Sequence, residues 1–335
     1  MLPLDQEVDK IAAEIEFAGV VSVDVGGRIE FAKAYGLAHR GRDIANTLDT
    51  RFAIASGTKG LTALTVMSLI EEGTLSLSTT ARSVLGKDLP LIDDAVTVEQ
   101  LLGHRSGIGD FLDEDDCHED IAAYLLTEPP QDLADTEQYL PALDGHPQKF
   151  PPDTGFSYCN GGYVVLALIA ERVTGTPFHA LVHSRVCAPA GMDSTEFLRT
   201  DEPASRTALG YLKIDGSWRT NVFHLPVRGN GDGGIYSTTG DLTKFWAALF
   251  AGRIVSSVAL MTAPRSESPE DNLHYGLGFW LPTGKNTVML EGFDAGVSFR
   301  STHTPESQLT HTVISNDSDG AWPIARRLAE ILNQS

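Results

Sequence analysis

A serine and a lysine three residues apart begin an otherwise apolar stretch, FAIASGTKGLTALTVMSLIEEG, at residues 52–73. In a helix, residues i and i+3 share a face, so the Ser56 hydroxyl and the Lys59 amine can come within hydrogen-bond distance. The positive end of the helix dipole stabilises a developing alkoxide, and a lysine among apolar neighbours can act as a base. The pair therefore suits a nucleophile and its base, although a helix cap beside a solvated lysine would give the same pattern.

A second segment, PPDTGFSYCNGGYVVLALI at residues 151–169, has Tyr158 and Asn160 just ahead of an apolar helical run. Taken alone, these two would be loop residues that precede a helix. Together, this segment and FAIASGTK resemble the motifs of class C β-lactamases, serine D,D-peptidases and family VIII carboxylesterases. LLGHRSGI, APAGM and GDGGIYSTTGDLTKF agree in character and order, and the resemblance runs from about residue 20 to 316.

This resemblance implies a role for each of four residues. Ser56 would attack the carbonyl and form an acyl-enzyme, while Lys59 and Tyr158 would share the general-base work. Tyr158 would then protonate the leaving group and activate the deacylating water, and Asn160 would orient Lys59 and the substrate. Whether Lys59 or Tyr158 takes the first proton is left open by the sequence.

The family's third motif, Lys-Thr-Gly or His-x-Gly, is changed in the segment LEGFDAGVSFRS at residues 290–301. Here Phe293 is expected where the family has the cation, followed by Asp294 and Ala295, and these three are the expected substrate-binding residues. The Gly296 N–H is expected to complete an oxyanion hole with that of Ser56. Without the cation, recognition of β-lactam or peptide carboxylates should be poor, whereas acyl transfer is still expected.

The elements that must hold these residues indicate an α+β fold. A hairpin around Gly26 and Gly27, strands after about residue 275, and several apolar helices predict an antiparallel sheet flanked by helices. With the resemblance, this is a β-lactamase-like fold with an inserted, mostly helical region. We expect residues 1–75 and 232–335 to form the α/β region and 76–231 the helical region.

Composition limits the partners. The 335 residues carry 25 Lys and Arg against 45 Asp and Glu, a formal charge of −20, which disfavours nucleic acid and anionic lipid. The start MLPLDQEVDK lacks the basic and apolar parts of a signal peptide, and no stretch is apolar enough to span a bilayer. Three cysteines do not suggest a disulfide scaffold. We expect a cytoplasmic protein that needs no cofactor or metal; the oligomeric state stays open.

Three other patterns point to weaker alternatives. Gly229, Gly231 and Gly234 fit a dinucleotide-binding fingerprint but lack its strand and acid, and a tight turn near the active site explains them better. His179 and His183 have the spacing of a zinc protease without its glutamate, so surface histidines are expected. The acidic run at residues 113–120 lacks the spacing of an EF-hand and is expected to be a solvated loop.

The predicted function is that of a serine hydrolase acting through an acyl-enzyme on Ser56, with small neutral esters or amides as substrates. A β-lactamase or a D-amino-acid-specific peptidase is the alternative within enzymes. A catalytically weak protein that uses the same pocket for recognition is the alternative outside them. Retention of Ser56, Lys59, Tyr158 and Asn160 together favours the enzyme.

Overall fold

An antiparallel sheet assembled from both ends of the chain forms the centre of the molecule. The computed structural model describes residues 3–113, 126–202, 204–268 and 272–332. Its strands are β1 (Gly19–Val25), β2 (Arg28–Tyr35), β3 (Leu37–His39), β4 (Ile44–Ala45), β5 (Phe52–Ala53), β6 (Tyr211–Ile214), β7 (Ser217–Thr220), β8 (Tyr236–Ser237), β9 (Ser266–Ser268), β10 (Leu273–Tyr275), β11 (Trp280–Pro282), β12 (Val288–Asp294), β13 (Val297–Thr304) and β14 (Leu309–Ser315). Among the described residues the main sheet has eight strands in the order β2-β1-β14-β13-β12-β11-β10-β9.

Helices cover both faces of this sheet, which confirms the predicted architecture. They are α1 (Leu4–Glu14), α2 (Thr58–Glu71), α3 (Ala81–Leu85), α4 (Val98–Leu102), α5 (Leu140–Leu143), α6 (Asn160–Thr174), α7 (Phe178–Val182), α8 (Ala188–Ala190), α9 (Thr239–Phe250), α10 (Val258–Met261) and α11 (Ala321–Leu332). On one face, α1 and α11 pack on Val21 and Val313. On the other, Ile314, Leu290 and Phe299 join the larger core with α2, α6 and α9.

The helix that begins beside Ser56 runs through the middle of the larger core. Residues Thr58–Leu69 of α2 are all buried, as expected for a helix that is apolar on nearly every side. α6 packs against it and ends at Gly175, whose φ of 66° is a left-handed C-cap. Thr97 and Gln100 form a capping box ahead of α4.

The strand predictions near the C-terminus hold for β12, β13 and β14, whose registers are continuous. β9 and β10 lie before residue 275 and were not predicted, because strands of three residues carry too little alternation to be recognised. Residues 76–231 contain helices α3–α8 and the β6–β7 hairpin. The division into two regions at residues 75 and 231 stays a prediction.

Two histidines buried in the sheet should make the fold sensitive to acid. Burial lowers the pKa of both His303 and His311 to about 4, with the charge of Arg300 adding to the effect at His311. Unfolded histidine titrates near pH ~6.5, so below that pH the unfolded chain binds protons that the folded chain does not. Stability should therefore fall as the pH drops from ~6.5 toward ~4, by up to about 1.4 kcal/mol per pH unit for each histidine.

The measurement is urea unfolding of the wild type and of the His303→Gln/His311→Gln variant at about pH 7 and about pH 5. Glutamine stays neutral, so the variant should lose less stability across this interval than the wild type does. Carboxylate titration is common to both proteins and cancels in the comparison. Equal losses would contradict the assignment.

Candidate active site

The turn that carries Ser56 is held in a strained conformation. Residues Ala55–Gly57 form a 3-10 turn ahead of α2, and Ala55 has a φ of 43°, in the left-handed region. The Thr58 hydroxyl donates to the Ala55 carbonyl at 2.7 Å and accepts the Ile235 N–H at 3.2 Å. A left-handed alanine is unfavourable on its own, so these contacts fix the direction in which Ser56 projects.

Lys59 lies one helical turn beyond Ser56, and its side chain is only 1% exposed. Its Nζ is 2.9 Å from Ser56 Oγ, 2.7 Å from Asn160 Oδ1 and 2.7 Å from the Asp232 carbonyl oxygen. The Asn160 amide is oriented because its Nδ2 donates to the Leu112 carbonyl at 2.9 Å, which leaves Oδ1 as an acceptor. Lys59 is therefore a buried amine bound by three separate segments.

These contacts define what the amine can do. Asn160 Oδ1 and the Asp232 carbonyl can only accept, so each takes one N–H of Lys59. A neutral amine has two N–H bonds, and with both donated to these oxygens its lone pair can accept from the Ser56 hydroxyl. In that state Lys59 can remove the proton of Ser56, whereas in the charged state it donates to Ser56 Oγ.

A buried aspartate binds the backbone at Asn160. Asp110 accepts the backbone N–H of Asn160 at 2.5 Å and that of Gly161 at 2.7 Å, at the N-terminus of α6. Burial raises the pKa of the Asp110 carboxyl, while these backbone hydrogen bonds and the Lys59 charge act in the opposite direction. Sequence analysis missed Asp110, because nothing near residue 110 signals a contact fifty residues further along the chain.

Tyr158 completes the group of four residues predicted from the sequence. Lys59 Nζ lies 4.9 Å from the centre of its ring. The ring also contacts the imidazole of His104, with centroids 4.3 Å apart, and stacks on the Trp280 indole at 5.7 Å with an interplanar angle of 10°. The structure thus brings Ser56, Lys59, Tyr158 and Asn160 together, and their catalytic roles stay predictions.

Gly292 is the residue of β12 that approaches the nucleophile. A Cβ atom on Gly292 would lie 2.1 Å from the Ile54 carbonyl oxygen and 3.0 Å from the backbone nitrogen of Ser56. Only glycine fits such a contact. The glycine of the third motif is therefore Gly292, which makes the triplet Leu290-Glu291-Gly292 and moves the expected alignment by three residues.

The expected oxyanion donor Gly296 is consequently wrong. Its N–H donates to Ser318 Oγ at 2.8 Å, and its φ of 71° belongs to the turn between β12 and β13. Ala295, expected to contact substrate, is 2% exposed and its carbonyl accepts Asn221 Nδ2 at 2.8 Å. These two residues hold the turn rather than the site.

The other two expected substrate contacts are the last two residues of β12. Phe293 is 46% exposed, and its ring centre is 6.3 Å from that of Trp322. Asp294 lines a pocket together with Asp232, between apolar walls that include Leu112. Burial raises the pKa of the Asp232 carboxyl, although the Lys59 charge lowers it.

Asp232 belongs to the glycine-rich turn that was predicted to lie near the active site. Its carbonyl contact with Lys59 could not be foreseen, since a backbone acceptor leaves no trace in residue type. Gly234 in this turn has a φ of 87°, and a Cβ there would lie 2.7 Å from Gly229. Close packing of the backbone therefore explains why glycines occur here, and no dinucleotide-binding role is needed to account for them.

A larger cleft of about 930 Å³ begins at Tyr158 and Trp280. It continues past Glu291 and Arg300, which face each other across β12 and β13 and form an ion pair. The Arg300 guanidinium, on the strand beside this motif, is therefore bound to a carboxylate. Sequence analysis missed Glu291, because the motif had been aligned three residues further on.

The other candidates from the sequence are two histidines and the acidic run. His183 is exposed as expected, but His179 is half-buried with Nε2 2.8 Å from the Gly229 carbonyl oxygen, and burial lowers its pKa to about 4. The acidic run lies outside the described residues from position 114 onward. Among the residues that are described, no three His, Cys, Asp or Glu side chains are grouped to hold a metal.

No single helix in the described ranges has the length and hydropathy to cross a membrane. α6 and the segment Phe178–Ala190 would meet that criterion only as a pair bent by 87°. Since α6 is buried from Asn160 to Ala170, its apolar character is explained by the core.

Comparison with known proteins gives one consistent family. The family model described as Beta-lactamase matches residues 4–334. The crystal structure of a penicillin-binding protein from Bacillus halodurans is 32% identical, with a TM-score of 0.91 over 97% of this chain and 99% of that one. D-amino acid amidase from Ochrobactrum anthropi SV3 is 25% identical, with a TM-score of 0.80 over 99% of both chains. Esterase EstB of Burkholderia gladioli is 32% identical over 59% of this chain and 52% of its own length.

Replacement of Gly292 should disable the nucleophile. In Gly292→Ala the new methyl group would collide with the Ile54 carbonyl and displace the turn, and a shift of ~1 Å can cost about 100-fold in rate. The measurement is the rate of fluorophosphonate labelling of Ser56 by intact mass. Gly240→Ala is the control, because the nearest atom to its Cβ would be 3.9 Å away. Equal labelling of both variants would contradict the close approach.

Proposed function

This chain belongs to the β-lactamase family of serine hydrolases, and from that premise we propose that it hydrolyses small neutral esters or amides through an acyl-enzyme on Ser56. The observation that carries the proposal is the position of Lys59, whose amine lies 2.9 Å from the Ser56 hydroxyl with two fixed acceptors on its other side. A recognition protein would have no use for a base held in this way.

In the proposed acylation, the Ser56 oxygen attacks the carbonyl carbon while Lys59 takes the hydroxyl proton. The negative charge that develops on the carbonyl oxygen needs backbone donors. We assign these to the N–H groups of Ser56 and Phe293, since Phe293 follows the glycine whose backbone lies against Ser56. Phe293 then contributes its main chain, while its exposed ring lies beside that of Trp322.

Tyr158 is assigned the second proton transfer. Its O–H gives a proton to the leaving oxygen or nitrogen as the bond to the carbonyl carbon breaks. It is reprotonated through Lys59, which holds the proton of Ser56. The proximity of the Lys59 amine to the Tyr158 ring, 4.9 Å from its centre, supports this exchange. Water then attacks the ester of Ser56 by the same steps in reverse.

The proposed preference for substrates without a carboxylate rests on charge. Arg300 is paired with Glu291, and the Arg228 guanidinium donates to the Phe197 carbonyl at 3.1 Å. The pocket lined by Ala53 and Gly233 adds the carboxylates of Asp232 and Asp294. An anionic substrate would meet like charges in a partly dry site, where repulsion is stronger than in water.

The same two aspartates favour a second candidate, the amide of an amino acid with a free ammonium group. The pocket combines them with apolar walls, which suits a cation carried on an apolar side chain. The similarity to a D-amino acid amidase agrees with this candidate. Comparison of an amino-acid p-nitroanilide with its N-acetyl derivative separates the two candidate functions. A hydrolase of neutral substrates should accept the N-acetyl derivative as readily as the free amine, whereas an amino-acid amidase should prefer the free amine.

Replacement of the nucleophile should remove activity and leave the fold intact. We expect Ser56→Ala to lose hydrolysis of p-nitrophenyl butyrate and the fluorophosphonate adduct, with stability changed by less than about 1 kcal/mol. Ser68→Ala in the same helix is the control, because its hydroxyl only donates to the Thr65 carbonyl at 2.7 Å. A wild type that neither hydrolyses the ester nor takes the label would favour the recognition protein.

Release of Arg300 should change the substrate preference. In Glu291→Gln the guanidinium would lose its ionic partner, and we expect kcat/KM for nitrocefin to rise at least about tenfold relative to p-nitrophenyl butyrate. Glu267→Gln is the matched control, because Glu267 lines the same cleft and its carboxylate lies 4.0 Å from His274 Nδ1 rather than on Arg300. Equal effects in both variants, or efficient nitrocefin hydrolysis by the wild type, would contradict the proposed basis of specificity.

A further inference from the structure

His104 lies just after α4, behind the loop that carries Tyr158. Its side chain is 1% exposed, and its φ of 55° is a left-handed conformation that His, Asn and Asp adopt more readily than most residues. It belongs to the segment LLGHRSGI, which supported the family resemblance without any assigned role. The reaction steps described above do not use it.

This one residue binds the backbone on both sides of Tyr158. The His104 carbonyl accepts the Ser157 N–H at 3.1 Å, and His104 Nδ1 accepts the Cys159 N–H at 3.0 Å. The imidazole also contacts the Tyr158 ring, with centroids 4.3 Å apart. Because three consecutive residues are bound at a single point, the direction in which the Tyr158 side chain projects depends on His104.

We propose that His104 is a positioning residue, which holds Tyr158 where it can protonate the leaving group. This inference rests on the acyl-enzyme reaction proposed above. His104 acts through Tyr158 and transfers no proton itself. In the step concerned, the carbonyl C–O or C–N bond breaks, its electron pair stays on the leaving atom, and that atom receives the Tyr158 proton.

The protonation state of the imidazole fits this role. Since Nδ1 accepts a hydrogen bond, the ring proton is on Nε2. Burial, together with the Lys59 charge, lowers the pKa of His104 well below its usual range, so the ring stays neutral and Nδ1 stays an acceptor. If Nδ1 were protonated it would be a donor, and it would then face the Cys159 N–H, which is also a donor.

The other ring nitrogen argues against a purely structural explanation. Nε2 is buried and has no hydrogen-bond partner among the residues that the structure describes. An unpaired buried donor is destabilising, and an apolar side chain in this aromatic cluster with Tyr163 and Tyr275 would avoid it. What an apolar side chain could not supply is the acceptor for the Cys159 N–H.

The leaving group provides a readout for the position of Tyr158. A p-nitrophenolate departs without a proton, whereas an ethoxide requires one, so a displaced Tyr158 slows the ethyl ester more. Ethyl butyrate and p-nitrophenyl butyrate give the same acyl-enzyme, and kcat/KM reports only the steps up to acylation. Their ratio does not depend on the fraction of folded protein.

The experiment compares two variants of nearly equal shape. His104→Leu removes the acceptor, and we expect it to raise the p-nitrophenyl-to-ethyl ratio of kcat/KM at least roughly tenfold, toward the ratio of Tyr158→Phe. His104→Asn can supply an acceptor at the place of Nδ1, tolerates the left-handed φ, and should keep the ratio close to that of the wild type. In a Tyr158→Phe background, His104→Leu should change the ratio no further.

An unchanged ratio in His104→Leu, equal changes in the Leu and Asn variants, or an additive effect with Tyr158→Phe would each overturn the positioning role. If His104→Leu is insoluble, His104→Gly replaces it, because glycine has no acceptor and adopts the same φ without strain. Failure of the proposed function is a separate result, in which the wild type hydrolyses neither ester.

Discussion

A lysine amine enclosed by protein is the constraint on which the rest of this site depends. The buried Nζ of Lys59 must have its N–H groups accepted, and the acceptors come from the start of α6 and from the glycine-rich turn ahead of β8. Neither segment is near α2 in sequence. The fold therefore has to bring three distant segments within hydrogen-bond distance of one atom, and the large apolar core around α2 and α6 makes that convergence stable.

The main sheet supplies the second constraint through a single glycine. Gly292 lets β12 approach the turn of Ser56 more closely than any side chain would permit. The strained Ala55, supported by Thr58, then meets the strand at a fixed distance. Strand and turn together define the direction of Ser56, while Lys59 contacts its hydroxyl from α2. Backbone geometry and side-chain contacts are therefore set by different parts of the fold.

Sequence reasoning found the four side chains that meet at the nucleophile, because each belongs to a motif with its own helix or loop signal. It failed where the contact is made by backbone or by an unmarked partner. Gly296 was chosen for its place after Ala295, whereas only the approach of Gly292 to Ser56 in space identifies the correct glycine. The same reason explains why the sequence did not predict the contacts of the Asp232 carbonyl, of Asp110 and of the Glu291–Arg300 pair. Local patterns predict elements, and long-range contacts decide which residue of an element faces the site.

The carboxylates around the pockets also bear on what happens after hydrolysis. Asp232 and Asp294 line one pocket and Glu291 lines the larger cleft that begins at Tyr158, in a chain of formal charge −20. In the proposed reaction a neutral ester would enter this field without penalty, but the acid released from Ser56 would ionise and be repelled by its surroundings. Product departure would thereby be driven by the charge that the proposed reaction itself creates, and accumulated acid would compete poorly with fresh substrate for the pocket.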